Sequence, residues 1–431
     1  MMIVTATAYS LLETTLRQFE RAAEQLGLDP ASRDLLRQPV RQFQFTIPVR
    51  MDDGRVRVFP AYRIQYNDAR GPCKGGLRFH PQEAVDNIRA LAMLRTWACA
   101  VADLPLGGSM GGIACDPHDL SLLEQERLCR GWVRQLAQNL GPAWDVPGPD
   151  LRTTSQHMLW MLDEFETLHS ARVPGFITGK PVGLGGSLGR KEANGYGVVI
   201  TVREALRDLG LAVGETTASL QGFGNVAQHA IALYHQLGGK VVCVSCWDHL
   251  SGASLAYSKH TGIDLPELQA ISNSFGEIDR GQAEALGYEV LPGGAWLEQE
   301  VDLLIPAALE TQITAENVGR IGARLKIVAE GASAPTTPDA AAQLHQRGVL
   351  VIPDVLASAG GLVCSYFEQV QGNMNYYWRQ DEVLGKLDVQ MTDAYLAVRE
   401  RARDASLSLR DAAHMIAVAR VAQACQERGW I

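Results

Sequence analysis

Long apolar runs are missing from this chain. None approaches the roughly 20 residues of an α-helical membrane span, so no such anchor is expected. Positive charge is not in excess either: a net charge of −9 supplies no basic patch, which argues against nucleic acid as a partner. The first ten residues, Met1–Ser10, lack a basic segment followed by an apolar core. No secretory signal is therefore expected, and a cytoplasmic location is. Close cysteine pairs are scarce. Of eight cysteines only Cys243 and Cys246 lie near each other, inside the apolar run Lys240–Cys246 that reads as a buried strand. Residues three apart on a strand face opposite ways. No metal site or redox pair is expected, and reduced, buried thiols are.

What is present fits an ordinary soluble globular protein: 431 residues, 46% hydrophobic and 20% charged, long enough for two domains with a core each. Helical spacing marks residues 10–26, with Ser10 as N-cap, then 81–101 and 120–140. Residues 40–49 and 55–66 alternate as strands around the turn Asp52-Asp53-Gly54. A strand at Thr217–Gln221 leads into Gly222-Phe223-Gly224-Asn225-Val226-Ala227, a helix to Leu237 and a second strand from Lys240. Strand, glycine turn, helix and strand in that order predict a Rossmann-type fold, with a pyrophosphate at the helix N-terminus.

The most informative window is Asp103–Gly112, Asp-Leu-Pro-Leu-Gly-Gly-Ser-Met-Gly-Gly. Four glycines in six residues let the backbone lie close to a ligand or another segment. The one large side chain among those six residues is Met110, a thioether that neither moves protons nor carries charge. One reading is a tight turn with a methionine packed beneath it.

The flanks supply a second reading. Arg70-Gly71-Pro72-Cys73-Lys74-Gly75-Gly76-Leu77-Arg78-Phe79-His80-Pro81 precedes the window. Val146-Pro147-Gly148-Pro149-Asp150 and the run Thr178-Gly179-Lys180-Pro181 to Gly189-Arg190 follow it. Together these closely resemble the glutamate/leucine/phenylalanine/valine dehydrogenase family, its glutamate dehydrogenases in particular, over about Gln42 to Trp430. The resemblance implies an α/β fold of two domains. An N-terminal α/β substrate and oligomerisation domain would span 1–185. A Rossmann-type, doubly wound dinucleotide-binding domain would span 186–365. C-terminal helices, 366–431, would pack back on the first domain.

The resemblance also assigns roles. Met110 stands where the family has its catalytic lysine, and Ala98 where a lysine grips the substrate α-carboxylate. A buried carboxylate without that partner costs several kcal/mol. Asp150 matches the proton-shuttling aspartate; a loop-capping carboxylate is the other reading. Lys74 and Ser365 match the grip on the distal carboxylate, with Gly75 beside them; a structural ion pair is the other reading of Lys74. On the cofactor side Gly222, Gly224, Asn225, Val226 and Ala227 would hold NAD or NADP. Asn194, Ser333 and Ser358 replace nicotinamide-facing residues, and Cys246 stands in the acidic column that holds the adenosine ribose. Three functions follow. The first is a non-catalytic regulatory subunit in a mixed oligomer, a hexamer by family habit, with a catalytic glutamate dehydrogenase chain and a small amino acid such as leucine as effector. The second is an active NAD(P)-dependent amino-acid dehydrogenase acting on L-glutamate. The third is a purely structural subunit.

Overall fold

The computed structural model describes residues 10–273 and 275–431. Most of the stretch read for a secretory signal, residues 1–9, lies outside them. The chain forms two compact units. The first holds residues up to Arg190 with Val363–Val383 and His414–Ile431; the second holds Lys191–Leu362 and Leu384–Ala413. The first division thus falls at Arg190, the last residue of the glycine-rich run and a few residues past the expected 185/186 boundary. The C-terminal helices do not all belong to one unit: residues 384–413 belong with the second.

The first unit opens with helices α1 (Leu11–Gln25) and α2 (Pro30–Arg37). The Ser10 hydroxyl accepts from the Glu13 amide while the Glu13 carboxylate accepts from the Ser10 amide, which satisfies two free donors at once and fixes where α1 begins. Then come β1 (Arg41–Arg50), β2 (Val56–Asn67), β3 (Cys73–Phe79), α3 (Val85–Val101), β4 (Gly107–Ile113), α4 (Leu122–Leu136), β5 (Asp145–Pro149) and α5 (Ser155–His169). The strands form one sheet in the order β1-β2-β4-β3-β5. The β1/β2 and β2/β4 pairs are antiparallel, and β3 is parallel to both β4 and β5. The glycine window is therefore a central strand, β4, and not the tight turn that is the first reading of its glycines. Both of its edges are hydrogen-bonded, so a run of glycine that would be weak alone is held in register by its neighbours.

The two faces of this sheet do different work. On one, Leu77 and Phe79 join Trp132 of α4 and Met158 of α5 in the core. On the other lies α3, whose Trp97 stacks on Phe19 of α1 at 5.9 Å. An added Cβ at Gly108 would overlap the Thr96 backbone and lie 2.6 Å from its Cα. Only hydrogen at that position lets helix and strand approach so closely.

The second unit carries α6 (Ala193–Asp208), β6 (Thr217–Gln221), α7 (Asn225–Gln236), β7 (Lys240–Asp248) and β8 (Ala253–Ser258). The short helices α8 (Leu265–Ala270) and α9 (Arg280–Ala285) precede β9 (Glu289–Pro292), β10 (Leu303–Pro306) and β11 (Ile327–Ala329). Next are α10 (Pro338–Gln346), β12 (Leu350–Ile352) and α11 (Asp354–Ala357). The sheet order is β12-β11-β10-β6-β7-β8-β9. From β12 to β7 all pairs are parallel; β8 and β9 add antiparallel strands at one edge. Parallel strands buried on both faces read as continuous apolar runs, as Leu303-Leu304-Ile305 and Ile327-Val328-Ala329 do. The strand order reverses between β6 and β10. In a doubly wound sheet that reversal opens a crevice at the strands' carboxyl ends, and the glycine turn follows β6 at this point. Helices α12 (Gly360–Met374), α13 (Gln380–Ala405) and α14 (Leu409–Glu427) complete the chain.

Candidate functional site

Register places the first unit's candidate residues on one face. Lys74 of β3 pairs laterally with Gly108 of β4 and Val146 of β5, and Gly76 with Gly148. Laterally paired residues point the same way, and alternate residues along a strand share a face. Lys74, Gly76 and Arg78 therefore share the α3 side of the sheet with Gly108, Met110 and Gly112. Asp150 follows β5 onto that side: an added Cβ at Gly76 would meet the Asp150 Cβ at 2.6 Å. Met110 is 1% exposed, closed in between strand and helix. Ala98 is buried on α3, one turn beyond Arg95. Gly75 faces the other way, its hydrogen turned to the Ser109 carbonyl.

Lys74 is 2% exposed. Its Nζ donates to the carbonyls of Val146 (3.2 Å) and Pro147 (3.3 Å). Among the described residues no carboxylate lies within ion-pair distance of it, so the ion-pair reading of Lys74 is corrected. The nearby acid, Glu368, is already taken: it accepts from the amides of Gly179 and Lys180 and pairs with Lys180 Nζ at 2.8 Å. Burial first, and the Arg190 guanidinium second, pull the Lys74 ammonium down to about 7. Beside it the hydroxyls of Thr178 and Ser365 bond each other at 2.6 Å. An added Cβ at Gly148 would sit 3.0 Å from both Lys74 Nζ and Thr178 Oγ1. One ammonium and two hydroxyls thus converge over a glycine, a combination suited to a carboxylate or another small anion.

Asp150 has different company. Arg95 Nη2 lies 3.3 Å from its Oδ2 and Arg78 Nε 3.8 Å from its Oδ1. Its Oδ1 also accepts the Leu151 amide at 2.8 Å. Guanidinium groups do not give up protons near neutral pH, so neither arginine replaces a lysine as an acid–base partner. Arg95 escapes sequence reasoning because it sits in an apolar helical stripe; that misplaced charge is the signal.

The opposite face carries a buried polar network that composition and periodicity do not reveal. Arg63 and Asp145, both fully buried, form a two-point ion pair at 2.8 and 2.6 Å. Arg63 also donates to the Gly76 carbonyl and the Ser109 hydroxyl, and Gln65 donates to Asp145. Every charged atom of the pair is satisfied, the condition under which a buried pair is tolerated. The network ties β2, β3, β4 and β5 together directly beneath the Lys74 face.

In the second unit Gly222 takes φ +97°, and an added Cβ would lie 3.0 Å from the Ala307 carbonyl. Gly224 is the N-cap of α7 and makes no side-chain cap bond. A Cβ there would meet nothing within 4 Å. Asn225 is exposed, Val226 half-buried and Ala227 buried. The first-turn amides thus face open space with no side chain in the way, and the dipole favours an anion there. The residues present fit a pyrophosphate.

Asn194 packs on Gly361, its Nδ2 2.9 Å from where a Cβ would be. Ser358 turns its hydroxyl to the Asp354 carbonyl at 2.7 Å. Ser333 is half-buried beside Ala334, whose amide donates to Asp354 Oδ2 at 2.9 Å. The Asp354 amide in turn donates to buried Glu330, which pairs with Arg410 at 2.6 Å. This Arg410–Glu330–Asp354 chain braces both loops that carry the serines. It too goes unread in the sequence, since Arg410 lies eighty residues from Glu330.

A substrate-type α/β unit and a doubly wound nucleotide-type unit, each with a glycine-lined strand end, define an amino-acid dehydrogenase fold. The chain belongs to the Glu/Leu/Phe/Val dehydrogenase family: residues 185–429 match Glutamate/Leucine/Phenylalanine/Valine dehydrogenase and residues 39–167 match the family's dimerisation domain. It is 42% identical over 421 residues to an NAD-specific glutamate dehydrogenase of Staphylococcus aureus, covering 98% of this chain and 99% of that one. It is also 42% identical over 424 residues to a cryptic catabolic NAD-specific glutamate dehydrogenase of Bacillus subtilis, covering 98% and 96%. Among solved structures, a hetero-hexameric glutamate dehydrogenase from Thermus thermophilus in a leucine-bound form superposes with TM-score 0.90, at 34% identity over 97% of each chain.

Proposed function

We propose that this chain is a glutamate dehydrogenase family subunit that binds a dinucleotide and a carboxylate but does not turn them over alone, and that it regulates a catalytic chain of the same family in a mixed cytoplasmic oligomer. One observation carries the reading. The face that holds Lys74 and Asp150 has a buried methionine at position 110 and an alanine at position 98. Asp150 is left paired with two arginines. Proton transfer during imine formation needs a group that gives and takes a proton near neutral pH; Met110 cannot, and Lys74 is held against two carbonyls. NAD is the expected dinucleotide, held by Gly222, Gly224, Asn225, Val226 and Ala227, with Asn194, Ser333 and Ser358 on the nicotinamide side. A silent subunit biases its neighbours when an effector binds two conformations with different affinity. The leucine-bound relative makes leucine the first effector to try.

A second reading has its own support. The Staphylococcus aureus and Bacillus subtilis relatives, which each match 98% of this chain, are NAD-specific glutamate dehydrogenases, which favours an active enzyme oxidising L-glutamate to 2-oxoglutarate. One assay separates the two. The purified chain with glutamate and NAD is expected to give no NADH above background. Met110→Lys combined with Ala98→Lys is expected to gain measurable oxidation. Turnover by the unaltered chain at a rate usual for an enzyme of this family would establish the second reading and sink the first.

A further inference from the structure

A dinucleotide on the α7 turn needs its adenosine ribose read. Rossmann folds do this with an acidic side chain about 20 residues past the glycines, at the end of the second strand. Here the position about 20 residues past the glycines is Cys246, two residues short of the end of β7, a buried thiol and a weak acceptor. The next acid, Asp248, is spent on its own loop: Oδ1 accepts the Leu250 amide at 3.1 Å and Oδ2 the Ser251 amide at 3.2 Å.

A third carboxylate stands close by. Gly276 takes φ +78°, and a Cβ added there would lie 3.0 Å from the Gly224 amide nitrogen and overlap the Phe223 carbonyl. The segment around Gly276 therefore lies directly on the glycine turn, and only glycine allows it. The next residue is Glu277. Its Oε2 accepts from His249 Nδ1 and from Asn273 Nδ2, each at 2.7 Å. Its amide donates to Asn273 Oδ1 at 3.1 Å, and the following carbonyl, of Ile278, accepts from Tyr257 at 3.0 Å. Among the described residues Oε1 has no partner. Glu277 is half-buried, so the free oxygen is reachable.

We propose that Glu277 takes the part of the acid missing at position 246, accepting hydrogen bonds from the adenosine ribose hydroxyls and so selecting NAD(H) over NADP(H). One oxygen is braced by two donors and fixes the carboxylate; the other is left for the diol. A 2′-phosphate at the same place meets a carboxylate whose only basic partner among the described residues is the His249 imidazole, so discrimination works by repulsion as well as attraction. The inference rests on the dinucleotide reading above.

The test is direct binding, by fluorescence titration of the intact chain with NADH and with NADPH at one ionic strength. The unaltered chain is expected to bind NADH at least ~10-fold more tightly. Glu277→Gln is expected to weaken NADH binding ~10-fold and to narrow the gap to NADPH. Glu277→Lys is expected to reverse the preference. Asp248→Asn is expected to leave both affinities as they were. Thermal melting of each variant checks that it folds. Glu277→Gln with unchanged affinity and preference overturns the inference, as does a loss carried by Asp248→Asn instead. An unaltered chain that binds neither nucleotide overturns the dinucleotide reading itself, a separate outcome.

Discussion

Glycine is spent in opposite ways in the two units. On β4 the missing side chains make room for protein: at Gly108 a Cβ would meet Thr96, and at Gly112 it would lie 2.7 Å from the Ile88 side chain. At Gly224 the missing side chain makes room for no other described residue, since nothing beyond the local backbone lies within 4 Å of a Cβ placed there. A glycine-rich motif therefore has no fixed meaning. In β4 it lets a helix settle on a strand and leaves Met110 sealed between them. In the α7 turn it keeps a row of backbone donors clear. The first arrangement is satisfied internally, and the second is complete only with a ligand.

The sharpest way to break that comparison is Gly108→Ala. The added carbon collides with backbone that has no rotamer to turn away. The cost is expected upwards of about 5 kcal/mol, in the exceptional range for one substitution, read as a collapse of the first unit's unfolding transition in urea. A variant that melts like the parent would show that β4 and α3 are not held so tightly.

Asp145→Asn comes next. It leaves Arg63 buried with its charge uncompensated, and breaking such a pair costs about 3–5 kcal/mol. Chemical denaturation measures it, and a loss under about 1 kcal/mol would mean that the Ser109, Gln65 and Gly76 contacts hold the network without the charge.

These two sites also mark what the sequence can and cannot disclose. The turn after β6 is legible because a strand, two glycines and a helix are consecutive, so local rules suffice. Helices α1 and α4 are legible for the same reason: each announces itself with an apolar stripe, and α1 also with a capping serine. Arg63 and Asp145 are 82 residues apart, and Arg410 and Glu330 80. No local period links them; they meet only once strands pair and helices dock. Met110 and Ala98 stand out only against the family pattern, and Arg95 needs coordinates to be seen beside Asp150. The strand at β4 misleads for a related reason, because the neighbours that hold its glycines extended are distant in sequence.

A gentler probe is the pH dependence of Lys74. Its ammonium titrates near 7 in the folded chain and near 10.5 when unfolded. Between those values the unfolded chain carries the extra proton, so stability rises with pH across that window. Below 7 the lysine is charged in both states, and its burial is a constant cost. Lys74→Met removes that cost. The variant is expected to be more stable than the parent at pH 6, with the advantage shrinking toward pH 9. Denaturation at a series of pH values reads the gap. An advantage that grows with pH instead would mean that Lys74 has an acidic partner in solution.

The smallest effect on stability tests the other half of the comparison. Gly224 has φ −79° and ψ −168°, extended backbone that alanine also adopts. Gly224→Ala therefore strains nothing and touches nothing, and it restricts the unfolded chain. Its stability is expected within about 0.5 kcal/mol of the parent. The methyl group would nevertheless stand beside the open first-turn amides of α7, where a pyrophosphate must come within hydrogen-bond distance. NADH affinity is expected to fall at least ~10-fold while the melting curve stays in place. The two readings move apart only if the space in front of Gly224 belongs to a ligand. If both hold steady, that space is merely surface, and the glycine turn is kept for the fold alone.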